Sequence, residues 1–468
     1  MGLIRRLFQR EDDETSYAPL EGGSERPNGE RIQDEEQREY SRTDYCVFLL
    51  LGVAMLWAWY ASPRMTDGNV HVLTSLRNMF LAAAPYFQRR FDSDERLLRN
   101  FQSAELAVST AGSLGSMIVL TKLQANASYP KRIMSSLILN IVVFTLLAIS
   151  TRAFLGVSAG AYFAFLMLVV FGASLATALC QNGVFAYVAS FGREEYTQGI
   201  MTGQGIAGVL PCIAQIISVL SVPPKQTQEG APQESSKSAF VYFLTATVIS
   251  ALTLLAFVYL LSKPRSREQL RPTLDDEDEV NAEYGAAAHK PIPLMTLFQK
   301  LFWLAGAVFL TFAITMFYPV FTQKILSVRD PATSSRLFQP AAFIPLGFLF
   351  WNIGDLTGRV IPGIPGMTLT ARPRVVFILA VCRLAFIPLY LLCNISGRGA
   401  VIGSDFFYLF VVQILFGISN GYIGSNCMMG FVEWVDSEER EAAGGFMSLC
   451  LVAGLTAGSF MSFFAASA

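Results

Sequence analysis

Phe343-Ile-Pro-Leu-Gly-Phe-Leu-Phe-Trp-Asn352-Ile-Gly-Asp355-Leu-Thr-Gly-Arg359-Val-Ile361 reads as a membrane-buried helix that nonetheless carries an aspartate and an arginine. Burying a charge in hydrocarbon costs several kcal/mol, so such residues face a protein interior or a watery cavity. Asp355 and Arg359 are one helical turn apart and stack on one face, with Asn352 a turn earlier on the same face. An ionisable, hydrogen-bonding stripe at mid-membrane predicts a substrate pathway. A structural ion pair that locks two helices together is the competing reading.

The rest of the chain agrees with a membrane setting. Of 468 residues, 53% are hydrophobic and only 15% charged, against roughly 25% charged in soluble domains. The apolar content comes in runs of about 20 residues, the length of a bilayer-spanning helix. Runs at 45–59 with 78–87, 101–123, 132–151, 160–188, 195–221, 239–261, 298–322, 340–363, 374–393, 405–426 and 440–465 predict eleven spans, if the first two pieces join. The expected architecture is an all-α polytopic membrane protein in a 6+5, two-bundle, major-facilitator-like arrangement. A polar, cytosolic tail over 1–44 precedes a six-helix bundle over 45–261. A linker over 262–296, with Lys263, Arg265, Arg267 and Arg271 followed by acids from Asp275 to Glu279, leads to a five-helix bundle over 297–465.

Basic residues at Lys131, Arg132, Arg372 and Arg374 fall on the same side as the tail, which the positive-inside rule makes cytosolic. Arg89, Arg90, Arg96 and Arg99 fall on the other side, diluted by acids. The seven cysteines lie in or beside apolar runs and show neither a disulfide framework nor zinc spacing. The two histidines, His71 and His289, sit in polar stretches, which argues against a metal site or an intramembrane enzyme. No basic-aromatic pattern points to nucleic acid, and no phosphate-binding loop points to ATP. No cofactor is expected. Tyr17-Ala-Pro-Leu20 fits a short sorting signal, and Asn394-Ile-Ser396 a glycosylation sequon facing outward.

One stretch breaks the pattern. Tyr60–Arg77 (YASPRMTDGNVHVLTSLR) interrupts the first span, leaving pieces at 45–59 and 78–86 that are each too short to cross. Without it they join as one uncharged helix. The stretch reads as an in-frame translated intron; a loop extruded from a broken helix is the alternative.

With that join, most of the chain resembles the equilibrative nucleoside transporter family, in its fungal form. The resemblance rests on Trp59 followed by Asn78, on Gln181-Asn-Gly, and on Gly199-Ile-Met-Thr-Gly203-Gln204-Gly205-Ile-Ala-Gly208. It continues through Phe317-Tyr-Pro319-Val, the Asn352/Asp355/Arg359 pattern, Arg383-Leu-Ala-Phe-Ile-Pro388, Ser419-Asn420-Gly421-Tyr422 and Glu441-Ala-Ala-Gly444. Their order over the chain is more specific than any one of them.

The resemblance implies a carrier that moves nucleosides, with nucleobases as a further candidate substrate, by alternating access, either by facilitated diffusion or linked to protons. A nucleoside needs a flat wall for its base, amides for base edges and charged groups for vicinal hydroxyls. Trp59 supplies the wall. Gln181, which both donates and accepts, reads the base, or else makes an interhelical bond. Asp355 and Arg359 read the sugar, with Asn78 and Asn352 supporting. Leu81, Pro319 and Phe348 resemble outer-gate positions. Glu105 is a candidate for proton coupling, although a solvated acid at a helix start is the preferred reading. Arg383 is expected either to pair with an acid or to reach the interface. The expected state is a monomer in the plasma or vacuolar membrane. A sugar or drug carrier of similar architecture is the rival function.

Overall fold

A computed structural model describes residues 40–57, 87, 90–124, 127–153, 156–221, 231–263, 292–330 and 333–467. Trp59, Asn78, Leu81 and all of Tyr60–Arg77 lie outside these, as do the Tyr17 signal and most of the tail and linker. Thr43–Ala468 forms one compact unit, and every contact below lies within it; of the other unit, Met1–Arg42, the described residues are 40–42.

The described chain is helical almost throughout, as a bilayer requires of a backbone that must satisfy its own hydrogen bonds. The helices before the linker are α1 (Arg42–Trp57), α2 (Glu95–Lys122), α3 (Tyr129–Ala153), α4 (Ala159–Ala189), α5 (Glu194–Ser221) and α6 (Ala231–Ser262). After it come α7 (Leu294–Thr315), α8 (Tyr318–Lys324), α9 (Pro340–Val360), α10 (Pro373–Cys382), α11 (Phe386–Leu391), a π-helical segment (Phe407–Ile414), α12 (Leu415–Gly430) and α13 (Arg440–Ser467). Among the described residues nine helical segments are long and apolar enough to cross a membrane. α1, described only to Trp57, and α9, diluted by Asn352, Asp355 and Arg359, are not among the nine.

Polarity is arranged inside out. Leu168, Leu252, Leu255, Ile217 and Val241 are exposed on the outer faces, whereas Asn352, Asp355, Arg359, Arg383, Gln413 and Asn420 are buried. That is the order expected where hydrocarbon is the solvent and polar groups are worth hiding. All seven cysteines are free thiols.

Three spans are not continuous α-helices, and each break has a local cause. Pro319 has no N–H for the Thr315 carbonyl, so the seventh span stops at Thr315 and restarts at Tyr318. Pro388 removes the partner of Leu384, and a 3-10 turn, Arg383–Ala385, separates α10 from α11. In the tenth span the π-helical segment is held by Gln413, whose Nε2 donates to Thr322 Oγ1 (2.8 Å) and Tyr408 Oη (2.7 Å) while Oε1 accepts from Tyr390 (2.9 Å).

Helices α2, α3, α4 and α6 pack on one another, as do α7, α9, α10, α12 and α13. The two groups meet where α5 lies along α9 and where α13 crosses α4 and α2. At the second crossing, a Cβ on Gly444 would strike the Phe185 carbonyl, so backbone touches backbone. The sequon asparagine Asn394 is tied down: Nδ2 donates to the Ser327 carbonyl (3.1 Å) and Oδ1 accepts from Gly399 N (3.2 Å).

Candidate substrate site at the seam between α5 and α9

The seam can be read rung by rung. Tyr45 donates to Gln198 Oε1 (2.9 Å), and a Cβ on Gly363 would press on the Gln198 amide. Gly205 lets α5 lie against Leu356 and Arg359 of α9. Asn352 Nδ2 reaches Cys212 Sγ (3.5 Å), and Arg336 donates to the Val219 and Leu220 carbonyls (3.0 and 2.9 Å), capping the far end of α5. Mid-seam lies the charged pair.

Arg359 Nε donates to Asp355 Oδ2 at 2.7 Å, the bond that the one-turn spacing predicts. Arg359 Nη1 crosses the seam to Gln204 Oε1 (2.8 Å) and the Met201 carbonyl (3.3 Å). Gln204 Nε2 in turn contacts Met55 Sδ of α1 (3.0 Å). On the other flank Asn420 Nδ2 donates to Asp355 Oδ1 at 2.6 Å. Both carboxylate oxygens are therefore engaged, which offsets part of the cost of stripping water from two ions.

The backbone makes this closeness possible. Cβ atoms on Gly354 and Gly358 would strike the Ile414 and Ile418 carbonyls, and on Gly421 the Asp355 carbonyl. Only glycines at these positions allow α9 and α12 to approach so nearly. Asp355 and Arg359 are 1% and 3% exposed, so in this conformation the pair is covered rather than open to a wet chamber.

The remaining expected residues are spread out. Asn352 is buried, but its amide serves the Phe348 carbonyl (2.8 Å) and Cys212 rather than Asp355, and its Oδ1 has no hydrogen-bond partner among the described residues. Phe348 meets Tyr318 edge-on at 5.7 Å, which places it beside Pro319 at the α7/α8 break. Gln181, near the end of α4, is 6% exposed and no side-chain bond to it is found among the described residues; its carbonyl receives Ser448 Oγ (3.5 Å). No described contact joins it to Asp355.

Two readings of charged residues are corrected. Glu105 is not a solvated acid at a helix start: α2 begins ten residues earlier, capped by Asp94, and Glu105 is 4% exposed. Arg383 does not reach the interface and forms no ion pair among the described residues; it is 1% exposed and bonded to Ser419, Thr311 and Thr315. Gln204 and Asn420 were quoted only as motif letters, yet they are the direct partners of the pair. An amide inside an apolar span was the available signal.

Comparisons with known proteins identify the family and the fold. The chain matches the profile described as Nucleoside transporter over residues 165–467, which includes Gln181, Gln204, Asp355, Arg359 and Asn420. It is 28% identical to the Saccharomyces cerevisiae protein named Nucleoside transporter FUN26, covering 91% of this chain and 84% of that one. It is 26% identical to human Equilibrative nucleoside transporter 1, covering 90% and 96%. Among solved structures it resembles a bacterial homologue of the iron transporter ferroportin in its outward-facing state (TM-score 0.54, 14% identity, 91% and 92% covered). It also resembles the Major Facilitator Superfamily transporter FucP in the outward conformation (TM-score 0.50, 14% identity, 91% and 97% covered). These structures show the fold alone, a major-facilitator-type carrier architecture. With more than half its length matched, the chain belongs to the nucleoside transporter family.

Proposed function

We propose that this multi-pass membrane protein is a carrier, not an enzyme, and moves nucleosides by alternating access, either by facilitated diffusion or linked to protons. Residues 45–261 and 297–465 form the two bundles that rock about the substrate, with 262–296 as the cytosolic linker. The observation that carries the reading is the buried Asp355–Arg359 pair at the seam between bundles, in a chain of this family.

Asp355 offers carboxylate oxygens to ribose hydroxyls, while Arg359 donates to ribose oxygens. When the site is empty each neutralises the other, and Arg359 spends its remaining reach on Gln204 and Met201. Separating α5 from α9 frees those donors at the moment a sugar could take them. Gln181, buried with its amide unspent among the described residues, is suited to a base edge. Trp59 supplies the stacking wall, Asn78 and Asn352 support it, and Leu81, Pro319 and Phe348 gate it from outside. Glu105 is the carboxylate available for proton coupling. The protein acts as a monomer.

The test is radiolabelled uridine and adenosine uptake by the purified chain in proteoliposomes, at two external pH values. Saturable uptake competed by ribonucleosides and not by hexoses is the expected result. Uptake of a hexose or drug without nucleoside uptake would overturn the reading, and a pH-independent rate would remove Glu105 from it.

A further inference from the structure

Arg383 takes no part in the site as described so far, yet it is among the largest fully buried side chains of the molecule. It stands at the 3-10 turn forced by Pro388, where the helix breaks between α10 and α11. Its Nε donates to Ser419 Oγ (3.0 Å), Nη1 to the Thr311 carbonyl, and Nη2 to Thr315 Oγ1 (3.0 Å). Its guanidinium carbon lies 4.5 Å from the centroid of the Phe416 ring. The Asp355 carboxylate is joined to it through Thr315 and Asn420.

The link between the two charges is a directed chain of hydrogen bonds. A guanidinium only donates, so Nη2 occupies a lone pair of Thr315 Oγ1 and turns the hydroxyl proton away. That proton is shared between the Thr311 carbonyl (2.7 Å) and Asn420 Oδ1 (2.6 Å). With Oδ1 so committed, the Asn420 amide presents Nδ2 to Asp355 Oδ1 (2.6 Å). The opposite orientation of that amide would aim a carbonyl oxygen at a carboxylate. Each bond thus runs from the Arg383 end toward the Asp355 end, and such chains polarise one another in a low-dielectric interior. A neutral residue could staple α7 to α12 without the expense of a buried charge. A donor-only end at Arg383 and an acceptor-only end at Asp355 together give the chain its direction.

We infer that Arg383 is a positioning residue for substrate recognition: acting through Thr315 and Asn420, it orients the Asp355 carboxylate and thereby sets how strongly the carrier distinguishes a ribose from a sugar without the 2′ and 3′ hydroxyls. The inference rests on the assignment of Asp355 to the ribose.

The experiment compares inhibition of uridine uptake by unlabelled uridine and by 2′,3′-dideoxyuridine, using the full chain in proteoliposomes. Thermal stabilisation of the purified protein by each compound scores variants that bind without transporting. Thr315→Val removes the link by exchanging a hydroxyl for a methyl, and leaves Arg383 its bonds to Thr311 and Ser419. The expected result is a loss of about three- to tenfold in affinity for uridine, the worth of one hydrogen bond, with dideoxyuridine unchanged. Arg383→Gln should narrow the preference likewise, and Arg383→Lys should restore part of it. Equal losses for both compounds, or none for either, would overturn the inference and leave Arg383 a staple. A wild-type carrier blind to the hydroxyls would instead overturn the assignment of Asp355, a separate failure visible before any variant is made.

Discussion

Arg359 Nη1 and Gln204 Oε1 lie 2.8 Å apart across the seam between α9 and α5, joining one half of the buried ion pair to a helix that precedes the linker. Under the proposed alternating access, the bond should exist only while the seam is shut. Gln204→Ala should therefore leave a buried donor short of a partner in the closed state, at a cost of about 1–3 kcal/mol. We expect a lower melting temperature for the unliganded protein and a larger recovery on adding uridine than the wild type shows. A melt unchanged in both conditions would mean that the bond contributes nothing.

Stability and transport should separate at the charged pair. Asp355→Ala strands Arg359 in the interior, and removing one partner of a buried pair costs about 3–5 kcal/mol. Replacing both, as Asp355→Ala with Arg359→Leu, should recover much of that stability while uridine uptake stays absent. Uptake that survives in the double variant would remove the pair from the site and leave it an architectural lock.

How much of this was legible in the sequence follows from what each signal depends on. The third span, expected over 132–151, is the helix Tyr129–Ala153, and the fourth, expected over 160–188, is Ala159–Ala189, because hydrophobic run length is set by the bilayer. The Asp355–Arg359 bond was legible because it is local, four residues along one helix. Gln204, Asn420 and Thr315 were not, since their contacts join residues 65 to 155 apart in the chain and depend on which helices pack together. Glu105 was misjudged because α2 begins in a polar turn, capped by Asp94, well before the apolar run. The break in the seventh span was foreseeable from Pro319 alone.

Gln181 offers the cleanest separation of recognition from packing. Its side chain is buried and no described residue bonds to it, so Gln181→Ala should cost little stability. The expected change is in preference: relative uptake of uridine and adenosine should shift by about three- to tenfold, with expression unaltered. An equal loss for both nucleosides would assign it to packing.

The stretch Tyr60–Arg77 makes its own prediction. A cDNA read across it should lack its 54 nucleotides in the dominant message, and a protein without it should show greater uptake per molecule than the full chain. A dominant transcript that retains the stretch would defeat the intron reading and favour an extruded loop.

The glycine contacts between α9 and α12 have a kinetic corollary. Helices this close, backbone to backbone at Gly354, Gly358 and Gly421, leave no room for sliding, so under the proposed alternating access they should travel as one rigid body. Asp355, Arg359 and Asn420 then keep their mutual spacing whichever compartment the carrier faces. A nucleoside arriving from either side would meet the same grip on its sugar, and half-saturation for entry and for exit should be nearly equal.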